Sequence, residues 1–138
     1  LYLRRLQVAI LKNFWRLCQN DLDKLEYYRN TIKKILTGYY EMTVKGAIAL
    51  DELEPDDRLA FDEERDQYLW FRSGWNGKER LRYMTMYLRI KNGKIWVEED
   101  MTNLCVVDDL LAAGISNGDI VLGFHHPSKR PLTEFATV

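Results

Sequence analysis

The stretch LRYMTMYLRIKNGKIWVEE, residues 81–99, decides the fold, because it reads as two strands joined by a tight turn. Asn92-Gly93 is a residue pair favoured in two-residue hairpin turns, since both positions need a positive φ. Before the turn, apolar residues recur at every second position, as in a strand with one buried face: Met84, Met86, Leu88 and Ile90. The stretch therefore predicts an antiparallel hairpin with these four side chains on one face.

The register of this hairpin follows from its turn, which pairs Lys91 with Lys94. The apolar pairs then fall on one face: Ile90 with Ile95 and Leu88 with Val97. On the other face Arg89 lies opposite Trp96, where its guanidinium can cover the indole. Both faces are consistent in one register, so we predict that register.

Two further segments extend the hairpin into a sheet. Residues 68–73 alternate in the same way and are followed by a second turn, Asn76-Gly77, which indicates one more antiparallel strand. Residues 120–124 are apolar and follow a turn, as expected for a short buried strand that closes the sheet. The sequence thus predicts an antiparallel meander of three or more strands and a short C-terminal closing strand.

Helices are expected on both sides of the meander. Apolar residues at three- and four-residue spacing predict a helix from Asp21 to near Tyr40, where Gly38 weakens the last turn. Thr102 is placed to cap a second helix that Gly114 ends. The expected fold class is α+β.

Composition restricts the possible classes of protein. At 138 residues, 46% of them hydrophobic, the chain suits one globular domain, and its net charge of −1 gives no bulk attraction to nucleic acid or membranes. Cys18 and Cys105 form no CxxC pair, and the sequence has no apolar run long enough to span a membrane. We therefore expect a cytoplasmic protein with free thiols.

Residues 1–21 differ from the rest, because basic and apolar residues alternate there without an acid before Asp21. Lys12 and Arg16 interrupt the apolar run and no small-residue cleavage pattern follows, which disfavours a signal peptide. The chain also begins with Leu, which favours a fragment, a trimmed start or a non-standard start codon.

An acidic stretch spans residues 51–66 and contains Pro55, which favours a loop with short elements. Such a charge run is typical of a solvated face. Its carboxylates could instead bind magnesium, as nuclease sites do, but the spacing of nuclease motifs is missing. We expect no catalytic residue, no metal site and no cofactor.

The C-terminal segment contains a small cluster that could contact phosphate or a partner: His125, His126, Lys129 and Arg130. Adjacent histidines on an extended chain point to opposite sides, so they cannot readily share one metal ion. Hydrogen bonding within the segment is the expected role of the histidines. Four basic groups are also a slight footprint for binding a DNA duplex.

The predicted sheet is rich in aromatic residues, and one of its faces is expected to expose large rings unless the segment 1–17, a partner protein or a second copy covers them: Trp70, Tyr83, Tyr87 and Trp96. Large rings exposed together usually mark a contact surface. Because few basic residues are interleaved with them, a protein interface is favoured over stacking on single-stranded nucleic acid. These four residues are the candidate protein interface.

Two stretches carry a family resemblance. Residues 119–136, DIVLGFHHPSKRPLTEFA, resemble the D-I-V-L-x-F-x-x-P-x-x-R-x-x-T-x-F-A segment that closes proteins of the XisI family, the fdxN element excision controlling factors of cyanobacteria. Residues 92–100, NGKIWVEED, are similar to the family's D/N-G-K-I-W run. Two shorter pieces, DKLEYY at 23–28 and GWNG at 74–77, agree as well. The family's D-G-T-E after the I-W strand is replaced by residues 100–103, DMTN, and its loop proline by Ser116.

The resemblance implies a non-enzymatic accessory role in the excision of a DNA element. It implies a protein partner, an XisH-like protein with a restriction-endonuclease fold, with DNA contacted indirectly. The match leaves residues 1–21 outside it, which implies an N-terminal extension followed by a single domain at residues 22–138. No membrane contact is expected from the residues themselves, and a homodimer is a further option, because a second copy could cover the exposed rings. The resemblance supplies no catalytic residue.

Two other functions remain open. The first is a metal-dependent nuclease that uses the acidic stretch with His125 or His126. The second is a direct DNA-binding module whose contacts come from both ends of the chain: Arg4, Arg5, Lys129 and Arg130.

Overall fold

The computed structural model describes residues 2–49 and 56–138 and, within the first helix, the side chains of residues 7, 10, 11 and 19–46. In chain order the main elements are α1 (Tyr2–Ala49), β1 (Asp57–Asp62), β2 (Gln67–Asn76), β3 (Glu79–Lys91), β4 (Lys94–Asp100), α2 (Val106–Ala112) and β5 (Ile120–Leu122). Short 3₁₀ turns at Asn117–Asp119 and Arg130–Leu132 flank the C-terminal segment. The predicted α+β class is confirmed.

The five strands form one sheet in the order β1-β2-β3-β4-β5. The first four are antiparallel neighbours, which confirms the meander, and β5 joins β4 in parallel after the chain has passed through α2. A parallel neighbour needs such a crossover, because a tight turn can join only antiparallel strands. The closing strand is therefore positioned by α2.

The predicted hairpin is confirmed in its turn and its register. Asn92 and Gly93 have φ values of 53° and 74°, as a two-residue hairpin turn requires. The pairing partners are those expected: Lys91 with Lys94, Ile90 with Ile95, Arg89 with Trp96 and Leu88 with Val97. The Arg89 guanidinium carbon lies 5.4 Å from the centre of the Trp96 ring.

One predicted side-chain direction in β3 is wrong. Trp70 lies opposite Met86 but Phe71 lies opposite Met84, so Thr85 is an extra residue that forms a bulge. Because opposed residues share a face of the sheet, Met84 lies on the side of Phe71, away from Met86. Met86 is fully buried whereas Met84 is 37% exposed.

The core lies between α1 and one side of the sheet, here called the inner face. From α1 it receives residues at helical spacing: Tyr28, Ile32, Leu36 and Tyr39. Val106 and Leu110 of α2 border the core at one side. The strands contribute alternate residues: Tyr68, Trp70, Met86, Leu88, Ile90, Ile95, Val97, Ile120 and Leu122. The opposite side of the sheet is the outer face.

The predicted ends of α1 are wrong, since the helix runs from Tyr2 to Ala49 instead of from Asp21 to near Tyr40. Gly38 lies inside it, with no described atom within 4 Å of an added Cβ. One glycine costs only about 1 kcal/mol relative to alanine, which good helix formers on both sides outweigh. Asp21 is an exposed residue in mid-helix.

The acidic stretch is only partly the solvated face that was predicted. Residues 51–55 lie outside the described residues, whereas Glu64 is exposed as expected. Asp57, however, is 4% exposed. Its carboxylate accepts hydrogen bonds from Trp70 Nε1 (3.2 Å) and from Arg72 Nε (3.1 Å) and Nη2 (2.6 Å).

The turn between β1 and β2 is tied to α1 by Asp66. Its carboxylate accepts hydrogen bonds from Arg29 Nε at 2.7 Å and Nη2 at 3.0 Å. The hydrogen bond and the charge of Arg29 hold the pKa of Asp66 below its usual value, although partial burial opposes them. This ion pair fixes the sheet against the helix at a second point beside the apolar core.

Arg29→Gln is expected to lower the free energy of unfolding by about 1 kcal/mol at neutral pH, since both partners are partly exposed. Because the folded pKa of Asp66 is depressed, the contribution is present above the unfolded pKa of about 4 and is lost as pH falls through the folded value. Urea unfolding of both proteins at about pH 6 and about pH 3 should therefore show a difference that shrinks in acid. A difference that stays constant with pH would contradict this assignment.

Candidate interaction surface

The four aromatic residues predicted to share an exposed face lie on both faces of the sheet. Trp70 is on the inner face, and Tyr83 follows it there because it pairs with Arg72. Tyr87 and Trp96 are on the outer face. The bulge at Thr85 separates Tyr83 from Tyr87, since it reverses the alternation of β3 between them. Trp70 and Trp96 are separated by the register itself, because they pair with Met86 and Arg89, which point to opposite faces of β3.

The predicted exposure of the two indoles is also wrong, as Trp70 is 3% and Trp96 7% exposed. Tyr83 is 42% exposed. Tyr87 is half-buried and donates a hydrogen bond from its hydroxyl to Gln67 Oε1 at 3.2 Å. Only the two tyrosines therefore present ring surface to solvent, and they do so on opposite faces.

Trp96 is covered by the cations around it. Besides Arg89, the Lys91 ammonium lies 5.2 Å and the Arg130 guanidinium carbon 5.2 Å from the ring centre. Such contacts are attractive because the ring face carries negative charge density. The indole Nε1 is buried and has no acceptor among the described residues.

Arg130, a candidate phosphate contact, is engaged within the C-terminal segment. Its guanidinium donates to the backbone oxygens of His125 (3.1 Å), Gly123 (3.4 Å) and Thr137 (3.4 Å). These contacts hold the segment over Trp96, and a backbone bridge between Val121 and Ala136 continues the sheet beyond β5. Arg130 thus has a structural role here.

The other members of the predicted cluster are more accessible. His126 Nδ1 lies 2.9 Å from Ser128 Oγ, and the His125 ring packs 4.6 Å from that of Phe124. Lys129 is exposed. Contact of these three residues with phosphate or a partner stays a prediction, as does the use of Arg4 and Arg5, whose side chains lie outside the described ones.

The surface that sequence reasoning missed lies on the outer face of β1, β2 and β3. Ten of the side chains that pairing places there are named below the outer patch: Arg58, Ala60, Leu69, Phe71, Ser73, Trp75, Arg80, Arg82, Met84 and Tyr87. The next row on the same face, beside the turn between β1 and β2, consists of Asp62, Gln67 and Arg89 and is not counted in the patch. Trp75 is 61% exposed, and Leu69 and Phe71 are half-buried. Alternation around Phe71 and Trp75 indicated part of the patch, but only the bulge brings Met84 and the two arginines of β3 to it.

The chain also has an open groove of about 630 Å³ between α1 and α2. It is lined mainly by apolar and small residues, including Ile35, Gly38 and Ala112. The Tyr39 hydroxyl donates to the Asp109 carboxylate beside it, and burial together with that bond raises the pKa of Tyr39 above its usual value. This tyrosine is therefore a neutral structural donor.

The described parts of the chain bring no three His, Cys, Asp or Glu side chains together in an arrangement that could hold a metal ion. Nor does any helix described here have the length and apolarity needed to cross a membrane. The site that the geometry presents is thus a surface of rings and arginines.

Comparison with known proteins agrees with the sequence motifs. The XisI family model, described as XisI protein, matches residues 22–137. No curated protein matches the chain. The domain boundary proposed at residue 22 stays an interpretation.

Two solved structures are similar to the chain. The fdxN element excision controlling factor XisI from Anabaena variabilis is 54% identical, with a TM-score of 0.70 over 83% of this chain and 99% of that one. An XisI-like protein from the same organism is 32% identical, with a TM-score of 0.68 over 80% and 96%. Fold, motifs and sequence identity agree, and the chain belongs to the XisI family.

Proposed function

We propose that this chain is a non-enzymatic controlling factor for excision of a DNA element of the fdxN type, and that it acts by binding another protein through the outer patch. The DNA-element role rests on the similar Anabaena protein, which is called an excision controlling factor. The binding role rests on the outer patch, where rings, methionine and arginine occur together. These are the residue types that are enriched in protein interfaces.

The partner we propose is an XisH-like protein with a nuclease fold, which the chain binds in the cytoplasm. DNA is then contacted indirectly, through that partner. The observation that carries the proposal is the exposure of Trp75 in a patch that also contains Phe71 and Met84. Contiguous apolar surface of this kind is costly in water unless another molecule covers it. Self-association of the chain stays a prediction beside it.

Trp75→Ala is expected to weaken binding of a co-expressed XisH-like protein at least about thirtyfold, the effect of losing a central aromatic contact. Leu132→Ala is a matched control, because Leu132 is apolar and 86% exposed but lies on the C-terminal segment. Co-purification followed by titration calorimetry measures both. Wild-type protein that forms no complex, or a Trp75 variant that binds like wild type, would contradict the proposal.

The nuclease alternative has less support from the geometry of the acidic residues. Asp57 and Asp66 hold Arg72 and Arg29, and Asp62 accepts hydrogen bonds from the backbone amides of residues 64 and 65. A cation at these carboxylates would have to displace a guanidinium or a backbone donor. Magnesium-dependent cleavage that Asp62→Ala abolishes would nevertheless favour that alternative.

A further inference from the structure

The charged side chains within the outer patch are all positive, and carboxylates occur on the same face at its border, at Asp62 in the next row and at Glu99 opposite Tyr87. All ten of its positions are in the described part of the chain, and none carries a carboxylate. Its charged members are Arg58, Arg80 and Arg82, which lie opposite Phe71, Trp75 and Ser73 on the neighbouring strands. The arginines therefore border the apolar rings instead of forming a separate basic region.

These three arginines differ from the others on the sheet. Arg72 pairs with Asp57 at 2.6 Å and Arg89 with Glu98 at 2.7 Å. By contrast, among the described residues Arg58 donates only to the Ser73 hydroxyl at 2.6 Å and Arg80 only to the Gly74 carbonyl at 3.3 Å. Arg82 forms no ion pair with any residue that the structure describes. Within the described part of the chain, Arg72 and Arg89 are thus paired with carboxylates and the three arginines of the patch are not.

Charge argues against a second copy as the occupant of this patch. A symmetric dimer brings the same surface together twice, so each arginine of the patch would meet a surface that carries arginines and no carboxylate. No acidic residue of the patch could compensate them. A different, anionic molecule fits better.

The details favour an acidic protein over nucleic acid. The Arg80 guanidinium carbon lies 5.1 Å from the centre of the Trp75 ring, so a cation occupies one face of this indole and at most the other face could stack on a base. Leu69 and Met84 between the rings offer packing surface but no stacking surface. Three arginines are also a small footprint for a phosphate backbone, whose binding rises with each neutralised phosphate.

We infer that the outer patch docks an acidic protein surface, with carboxylates pairing to Arg58, Arg80 and Arg82 around an apolar centre that covers Phe71 and Trp75. This inference rests on the proposed function and names the chemistry of its partner. Arginine suits the task because its planar group binds a carboxylate through two parallel hydrogen bonds. The same charges attract the partner at a distance and exclude basic competitors.

Charge reversal tests the inference on the intact chain with the co-expressed partner protein. Arg82→Glu and Arg58→Glu are each expected to weaken binding about tenfold at low salt, mainly by slowing association. Arg82→Lys, which keeps the charge, should lose less, and the wild-type affinity should fall as salt is raised. Lys45→Glu is the matched control, since it reverses an exposed charge on α1 away from the patch.

The outcomes separate the inference from the proposed function. If Trp75→Ala weakens the complex while both charge reversals and salt leave it unchanged, the patch binds a protein but not an acidic one, and the inference is wrong. If wild type forms no complex, the proposed function is wrong and the inference falls with it. A single-stranded oligonucleotide of about 20 nucleotides that binds wild type and displaces the partner would make nucleic acid the occupant and overturn the inference.

Discussion

Trp70→Ala is expected to lower the free energy of unfolding by about 4 kcal/mol, within the range for removing a large aromatic side chain from a core. Trp70 is 3% exposed and lies on the inner face opposite Leu59 of β1 and Met86 of β3. The substitution leaves a cavity between three strands and removes the indole donor of Asp57. Urea unfolding followed by circular dichroism measures the loss as a lower midpoint at unchanged slope.

The matched control is Trp75→Ala. Trp75 lies on the same strand, β2, but on the outer face, and it is 61% exposed. Its stability is expected to change by no more than about 0.5 kcal/mol, as is usual for surface positions. Equal losses in the two variants would contradict the burial described here. The comparison also matters for binding experiments, because a partner lost in Trp70→Ala reports damage to the core rather than an interface contact.

Asp57→Ala is expected to cost about 3 kcal/mol, since it removes one partner of a buried pair and leaves the others without an acceptor. The Asp57 side chain is 1% exposed, whereas that of Arg72 is 34% exposed, which limits the penalty on the arginine side. The Trp70 Nε1 proton would remain buried and unpaired. The same urea measurement detects the change.

Glu64→Ala provides the control for Asp57→Ala, because the Glu64 side chain is 90% exposed and belongs to the same acidic stretch. Its removal should be nearly neutral. A small effect of Asp57→Ala, comparable to that of Glu64→Ala, would mean that the stretch is a solvated face throughout. The loss of unfolding free energy is therefore expected to be several times larger for Asp57→Ala than for Glu64→Ala.

The hairpin at residues 81–99 could be predicted because its signals are local. Asn92-Gly93 needs no distant partner to favour positive φ, and only one register puts Ile90 opposite Ile95 while Arg89 covers Trp96. The parallel return of β5 follows less directly, since a three-residue strand of fully apolar side chains is compatible with either direction. The fold class was thus within reach of sequence reasoning.

The outer patch could not be predicted from the sequence, because it depends on features without a local signal. Thr85 carries no mark of a bulge, yet its position decides that Met84 and Arg82 face outward with Phe71. Burial of Trp96 depends on Arg130, more than thirty residues away in sequence and brought near only by the folded C-terminal segment. Side-chain direction on a sheet can be predicted only between bulges.

Burial of Asp57 is another tertiary effect. A run of acidic residues is usually solvated, and nothing in the local sequence distinguishes Asp57 from Asp56. The difference arises because β1 pairs Asp57 directly with Arg72. The Trp70 indole, two residues before Arg72 on the same face of β2, also donates to the Asp57 carboxylate. Compensation of a buried carboxylate is visible only when the neighbouring strand is known.

The order of β4 and β5 in the chain has a consequence for biosynthesis. Ile120, Val121 and Leu122 are buried against β4 but are synthesised after it. Until they emerge from the ribosome, Ile95 and Val97 have a vacant neighbour and the nascent chain keeps an unfinished sheet edge. A message broken between the codons of β4 and β5 therefore yields a polypeptide with an exposed edge strand, which is prone to aggregation.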